Sequence, residues 1–111
     1  MMDHRTDSIR ESVAAELNAW HTTGLRIAIW GGTGESATFL RSHGLDAHRF
    51  PIAVSSDWLL DNPVDIILIP CQWHAAEVVR EIDAARISYE GILIPQEGRL
   101  VDFHAAEMVL A

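Results

Sequence analysis

The 111-residue sequence predicts an α/β fold, a three-layer α/β/α sandwich around a small, mostly parallel sheet. Three observations predict it. Short segments with no polar face recur at Arg26–Trp30, Val64–Ile69 and Gly91–Ile94, and strands that are apolar on both sides belong in sheets covered on both sides. Segments of helical periodicity separate them, which is the pattern of βαβ units with right-handed crossovers. The composition, 49% apolar and 22% charged, is that of one ordinary globular domain spanning residues 1–111.

The first helix is expected from about Ser8 to Thr22. Ile9, Val13, Leu17 and Trp20 fall on one face. Ser8 and Glu11 have the spacing of a capping box, and Gly24 is placed to stop the helix. The first buried strand ends in Gly31-Gly32-Thr33-Gly34, and a helix follows from about Glu35 to His43, closed by Gly44. Between Leu45 and Asn62 the alternation is weak and Pro51 interrupts it, so a short edge strand is expected there. Ser55 or Ser56 is suited to cap a helical turn after it. Val64–Ile69 is β-branched, continuous and bounded by prolines, which places it at the sheet centre. A helix from His74 to Arg86 follows, with Ala75, Val78, Val79, Ile82 and Ala85 on one face. After Gly91–Ile94 come a short strand from Arg99 to Phe103 and a helix from Ala105 to Leu110.

Charge excludes some functions. Sixteen acids face eight bases, all of them Arg, for a net charge of −8. Such a surface repels a phosphate backbone, so no nucleic-acid partner is expected. The longest apolar run, residues 66–70, is far below the ~20 residues of a membrane span. The polar first ten residues are neither a signal nor a transit peptide, and a cytoplasmic location is the expectation. The single cysteine, Cys71, excludes a disulfide framework.

The glycine turn carries the clearest chemistry. Gly32-Thr33-Gly34-Glu35-Ser36-Ala37 satisfies G-x-G-x-x-[GA] between a strand and a helix, the context of a dinucleotide fingerprint. Glycines there allow a tight turn and a close approach of phosphate, and the helix start offers N–H groups to an anion. Gly31, Gly32, Thr33, Gly34, Glu35 and Ser36 are therefore the candidate cofactor-binding residues. The acid that a dinucleotide site needs about 20 residues on has only Asp57 as a candidate, and Glu35 puts negative charge in the first helical turn. Any βα turn in a parallel sheet also favours glycine.

At the end of the strongest strand, Pro70-Cys71-Gln72-Trp73-His74 gathers a thiol, an amide, an indole and an imidazole. With Pro95 and Gln96, at the end of the next strand, Cys71, Gln72, Trp73 and His74 are the candidate substrate-binding residues. The plainer alternative has Trp73 packing on the sheet edge and His74 capping a helix. Cys71 and His74 have no further metal ligands at recognisable spacing, and adjacency alone does not make them a nucleophilic pair. No metal and no catalytic residue is assigned. Glu77 and Glu81 lie on a solvated helix face. His104 could approach the glycine turn. Trp20, Trp30 and Trp58 are expected in the core or at an interface.

The ordered set of these pieces resembles the C-terminal, Rossmann-like domain of sugar C-methyltransferases that act on nucleotide-activated deoxysugars. The matching text is Ile27-Ala28-Ile29-Trp30-Gly31-Gly32-Thr33-Gly34, Phe50-Pro51-Ile52-Ala53-Val54-Ser55, Val64-Asp65-Ile66-Ile67-Leu68-Ile69-Pro70 with Trp73, and Gly91-Ile92-Leu93-Ile94-Pro95, within about residues 8–103. The chain differs in lacking a Lys in the glycine-turn helix and in a shortened stretch between Leu45 and Phe50. In that family the domain helps to hold the nucleotide-sugar, while the methyl-donor site and catalytic bases lie in other domains. A narrower likeness joins Gly31–Glu35 to the opening turn of precorrin reductases, which bind NADP.

The resemblance implies a free-standing, non-catalytic domain that binds a nucleotide or nucleotide-sugar and is methyltransferase-related if it belongs to an enzyme. The first alternative is a ligand-free structural module, a homo-oligomer or a dock for a larger enzyme, suggested by the amphipathic first helix and the excess of Trp. The second is a small NAD(P)-binding oxidoreductase-like protein.

Overall fold

Each of the three apolar segments forms a strand, and the three lie side by side and parallel. The computed structural model describes residues 4–31, 34–96 and 99–104. The order is α1 (His4–Thr22), β1 (Ile27–Trp30), α2 (Glu35–Ser42), β2 (Ile52–Ala53), α3 (Ser56–Asp61), β3 (Ile66–Leu68), α4 (Ala75–Ala84), β4 (Gly91–Gln96) and β5 (Arg99–Asp102), with a 3-10 turn, Gln72–His74, leading into α4. The sheet order is β2-β1-β3-β4-β5. β1 to β4 are parallel, and β5 returns antiparallel beside β4. The Val64–Ile69 segment is the central strand, as its composition predicts.

Strand alternation builds two cores. Ile27 and Ile29, Leu68, and Leu93 point to the face covered by Val13 and Leu17 of α1 and by Phe39 and Leu40 of α2. Ala28, Ile67 and Ile69, Ile92 and Ile94 point to the other face, under Leu59 of α3 and Ala75, Val79 and Ile82 of α4. Three layers result because consecutive residues of one strand must each find a hydrophobic partner on opposite sides.

Asp65 fastens the strand starts. Its Oδ2 accepts from the Arg26 amide at 2.8 Å, and the Arg26 Nε lies 3.7 Å from the same oxygen. Its own amide donates to the Arg26 carbonyl at 2.9 Å, and its carbonyl accepts from the Glu90 amide at 2.7 Å. One residue thereby sets the level of β1, β3 and β4.

The helices close by a shared device. In α1, α2 and α4 the amide two residues past the C-cap reaches back to the last turn: Leu25 to the Trp20 carbonyl, Leu45 to Leu40, and Ile87 to Ile82. The residue before each of these is left-handed and itself bonds three residues back, the Schellman arrangement. Two of these residues are glycines, Gly24 and Gly44, and the third is Arg86 at φ 60°, where a Cβ is strained.

Several boundaries differ from the sequence expectation. α1 begins at His4, so Ser8 lies inside the helix, one turn past its first residue. The first turn, His4 to Asp7, is polar and carries no apolar periodicity to mark it. The side-chain box of Ser8 with Glu11 lies outside the described residues, as does the expected helix from Ala105 to Leu110. β3 is shorter than Val64–Ile69 because Asp65 is spent on the strand starts. β2 is the expected edge strand and has two residues. Ser55, of the two serines, caps α3: its side chain accepts from the Trp58 amide at 3.2 Å. Among the described residues no helix is long and apolar enough to cross a membrane.

Replacing Asp65 by Ala is expected to remove about 1–3 kcal/mol of stability, the range for losing a charge-assisted bond to a backbone amide, read as a lower urea midpoint. Arg86→Gly is expected to raise stability by roughly 0.5–1 kcal/mol, since glycine relieves the left-handed strain and loses part of the gain to its freer unfolded chain.

Candidate functional site

The strand order creates a divergence between β1 and its neighbour β3. The chain leaves β1 into α2, on the α1 face, and leaves β3 into α4, on the opposite face. In open α/β sheets ligands are taken outside the carboxyl ends of the strands, at the point where connections part in this way. The two motifs singled out in the sequence are the two turns that flank it.

In the first turn, Gly31 ends β1 with φ 155° and donates its amide to the Ala53 carbonyl at 3.0 Å. A Cβ on Gly31 would stand 3.0 Å from Ser36 Oγ. The glycine is required by that approach: Ser36 is 1% exposed, and its hydroxyl donates to the Gly31 carbonyl at 3.2 Å. The Ser36 side chain therefore closes the turn, and what it can offer a ligand is its backbone amide. Gly34 is the N-cap of α2, left-handed at φ 95° and without a side chain to cap the helix. The amides of Glu35, Ser36 and Ala37 precede the first helical bond, from the Thr38 amide to the Gly34 carbonyl, so the helix supplies them no acceptor. Glu35 opens α2. Gly32 and Thr33 lie outside the described residues.

In the second turn, Pro70 and Cys71 are half-buried, and Gln72 begins the 3-10 turn. Trp73 does not pack on the sheet edge, because it is 83% exposed. His74 is the exposed N-cap of α4 and makes no side-chain capping bond. Cys71 is a free thiol, and among the described residues no hydrogen bond joins its side chain to His74. Pro95 and Gln96 end β4 on the same rim, half-buried and paired with Leu100 and Arg99. That pairing brings in a residue the sequence analysis missed. Arg99 is the exposed first residue of an antiparallel strand, so the hairpin carries its guanidinium to the rim. The signal was present, since a strand at Arg99 was expected, but its direction was not.

Other candidates separate from the rim. Asp57 is exposed in the first turn of α3. Glu77 and Glu81 are exposed on α4. His104 is not at the glycine turn. β5 carries it to the opposite end of the sheet, where its Nε2 lies 3.0 Å from the Tyr89 hydroxyl, which also bonds Asp83 Oδ1 at 3.0 Å. Among the described residues no group of three or more metal-ligating side chains gathers. The rim thus gathers the backbone amides at the start of α2, the exposed Arg99 and the exposed ring of Trp73.

Comparison with known protein families, with curated proteins and with solved structures finds no match to this chain.

Tyr89 gives the opposite end of the sheet a pH signature. Burial, the hydrogen bond to Asp83 and the charges of Asp83 and Asp102 push its phenol from 10.0 up to about 12. Between those values the unfolded chain has released the proton and the folded chain still holds it, so stability falls as pH rises. Denaturation midpoints measured from pH 9 to 12 are expected to drop for the native chain and to drop less for Tyr89→Phe.

Proposed function

We propose that the chain is a non-catalytic Rossmann-like domain that binds a nucleotide or nucleotide-sugar at the carboxyl ends of β1 and β3, as the C-terminal domain of sugar C-methyltransferases does. The observation that carries this reading is the pair of turns on that rim. One ends in an uncapped helix start with a glycine, Gly31, that admits no side chain. The other presents a bare indole, Trp73. Phosphate oxygens accept from the amides of residues 35–37. The base or the sugar lies against Trp73, and Arg99 with Gln96 lines the far wall. The net charge of −8 restricts the ligand to a small anion, because a long polyanion is repelled.

Calorimetric titration with UDP, dTDP and their hexose conjugates is expected to show saturable binding. Trp73→Ala should weaken it about fivefold or more, since stacking on an aromatic ring contributes roughly 1–3 kcal/mol per base. Absence of binding at ligand concentrations up to about 10 mM, an affinity scale of only ~3 kcal/mol, would sink the reading.

The exposure of Trp73, with that of Val54 at the end of β2, also supports a second reading, in which the rim docks on another protein or a second copy. In that case sedimentation shows self-association or a co-purifying partner that Trp73→Ala abolishes, with no response to nucleotides.

A further inference from the structure

We infer a second binding site, at the opposite edge of the sheet, for a small aromatic carboxylate. Its origin is the shortness of β2. That strand pairs only with Ile29 and Trp30 of β1, so the first half of β1 has no strand beside it on that side. The end of α1, the approach to β2 and the exit of α3 surround the gap and leave a groove of about 490 Å³, within the range of small-molecule sites. Ile27, Pro51, Pro63 and Val64 supply apolar lining, and Trp58, half-buried against the α3 and α4 core, adds a flat wall.

Polar groups converge there. Two of the chain's eight guanidiniums, Arg26 and Arg49, and two of its six imidazoles, His21 and His48, line this one groove of an acidic protein. Among the described residues neither guanidinium is saturated. Arg49 Nη1 reaches Asn18 Oδ1 at 3.4 Å, and Arg26 Nε stands 3.7 Å from Asp65, which leaves most of five N–H donors on each. Such a fork matches a carboxylate. Asp61 also lines the groove. With Asp65 beside Arg26 and Asp61 on the wall, the two guanidiniums meet two carboxylates, so the groove has no excess positive charge to hold a phosphate dianion and suits a monoanion taken by the open fork of Arg49. The ligand's ring lies on Trp58, and its carboxylate lies against Arg49. The site shares no lining residue with the rim, and the two stand or fall separately.

Benzoate is the probe. In a titration followed by the indole N–H signals, the Trp58 signal, assigned through Trp58→Phe, is expected to move and saturate. Arg49→Gln, a change at an exposed position, should weaken binding about tenfold, as loss of a charge-assisted fork does, and Arg49→Lys should retain part of it. Acetate, which has no ring, should bind at least about fivefold more weakly. Phenyl phosphate should bind no tighter than benzoate, and Trp73→Ala should leave benzoate affinity unchanged. Absence of saturation at about 10 mM, equal affinity in Arg49→Gln, or dependence on Trp73 instead of Arg49 would each overturn the assignment.

Discussion

The molecule is organised by one residue's backbone and carboxylate at the start of the central strand. Asp65 accepts the Arg26 amide, donates to the Arg26 carbonyl and receives the Glu90 amide. This matters because β1, β3 and β4 are buried on both faces. Sliding one of them by a single residue would exchange its two sets of side chains between cores that differ in shape. With Ile27, Ile66 and Gly91 fixed level with one another, Ile29, Leu68 and Leu93 two residues on are level as well, and the segments that follow them leave the core at a common height. The rim owes its existence to a fastening at the other end of the sheet.

Much of the fold was legible because each layer leaves a local mark. Val64–Ile69 reads as a central strand since its run from Ile66 to Ile69 is apolar on both faces. Ile52–Ala53 reads as an edge because Pro51 cannot donate to a ladder. Gly24 and Gly44 read as helix ends, while Arg86 reads as the last helical residue because nothing in its side chain shows the left-handed backbone it adopts. The start of α1 is illegible for a related reason: the polar sequence of His4 to Asp7 has no periodicity to read. The direction of β5 was not legible either, because pairing sense depends on a partner rather than on the strand's own residues.

The rim was legible in part. The glycine spacing identifies a turn that must be tight, and the hydrogen bond from Ser36 to the Gly31 carbonyl gives the reason. Sequence could not tell whether Trp73 was buried or bare, since an indole suits either. It could not bring Arg99 to the rim without knowing that β5 doubles back. His104 shows the converse error. Its place after Phe103 in the chain is no guide to its place in space, because the antiparallel strand carries it to the opposite end of the sheet, beside Tyr89. The groove beside β2 left no motif at all, because its lining comes from four separate stretches of chain.

The outer strands have a consequence for behaviour at high concentration. A sheet grows by recruiting a new strand along an unprotected margin, and it needs several consecutive amides and carbonyls to do so. One margin here offers the two residues of β2, next to a proline, and the other is β5, with a charged residue at each end. Neither is a good template for fibril-like stacking, so association of this chain with itself would have to proceed through side chains instead of ladder extension.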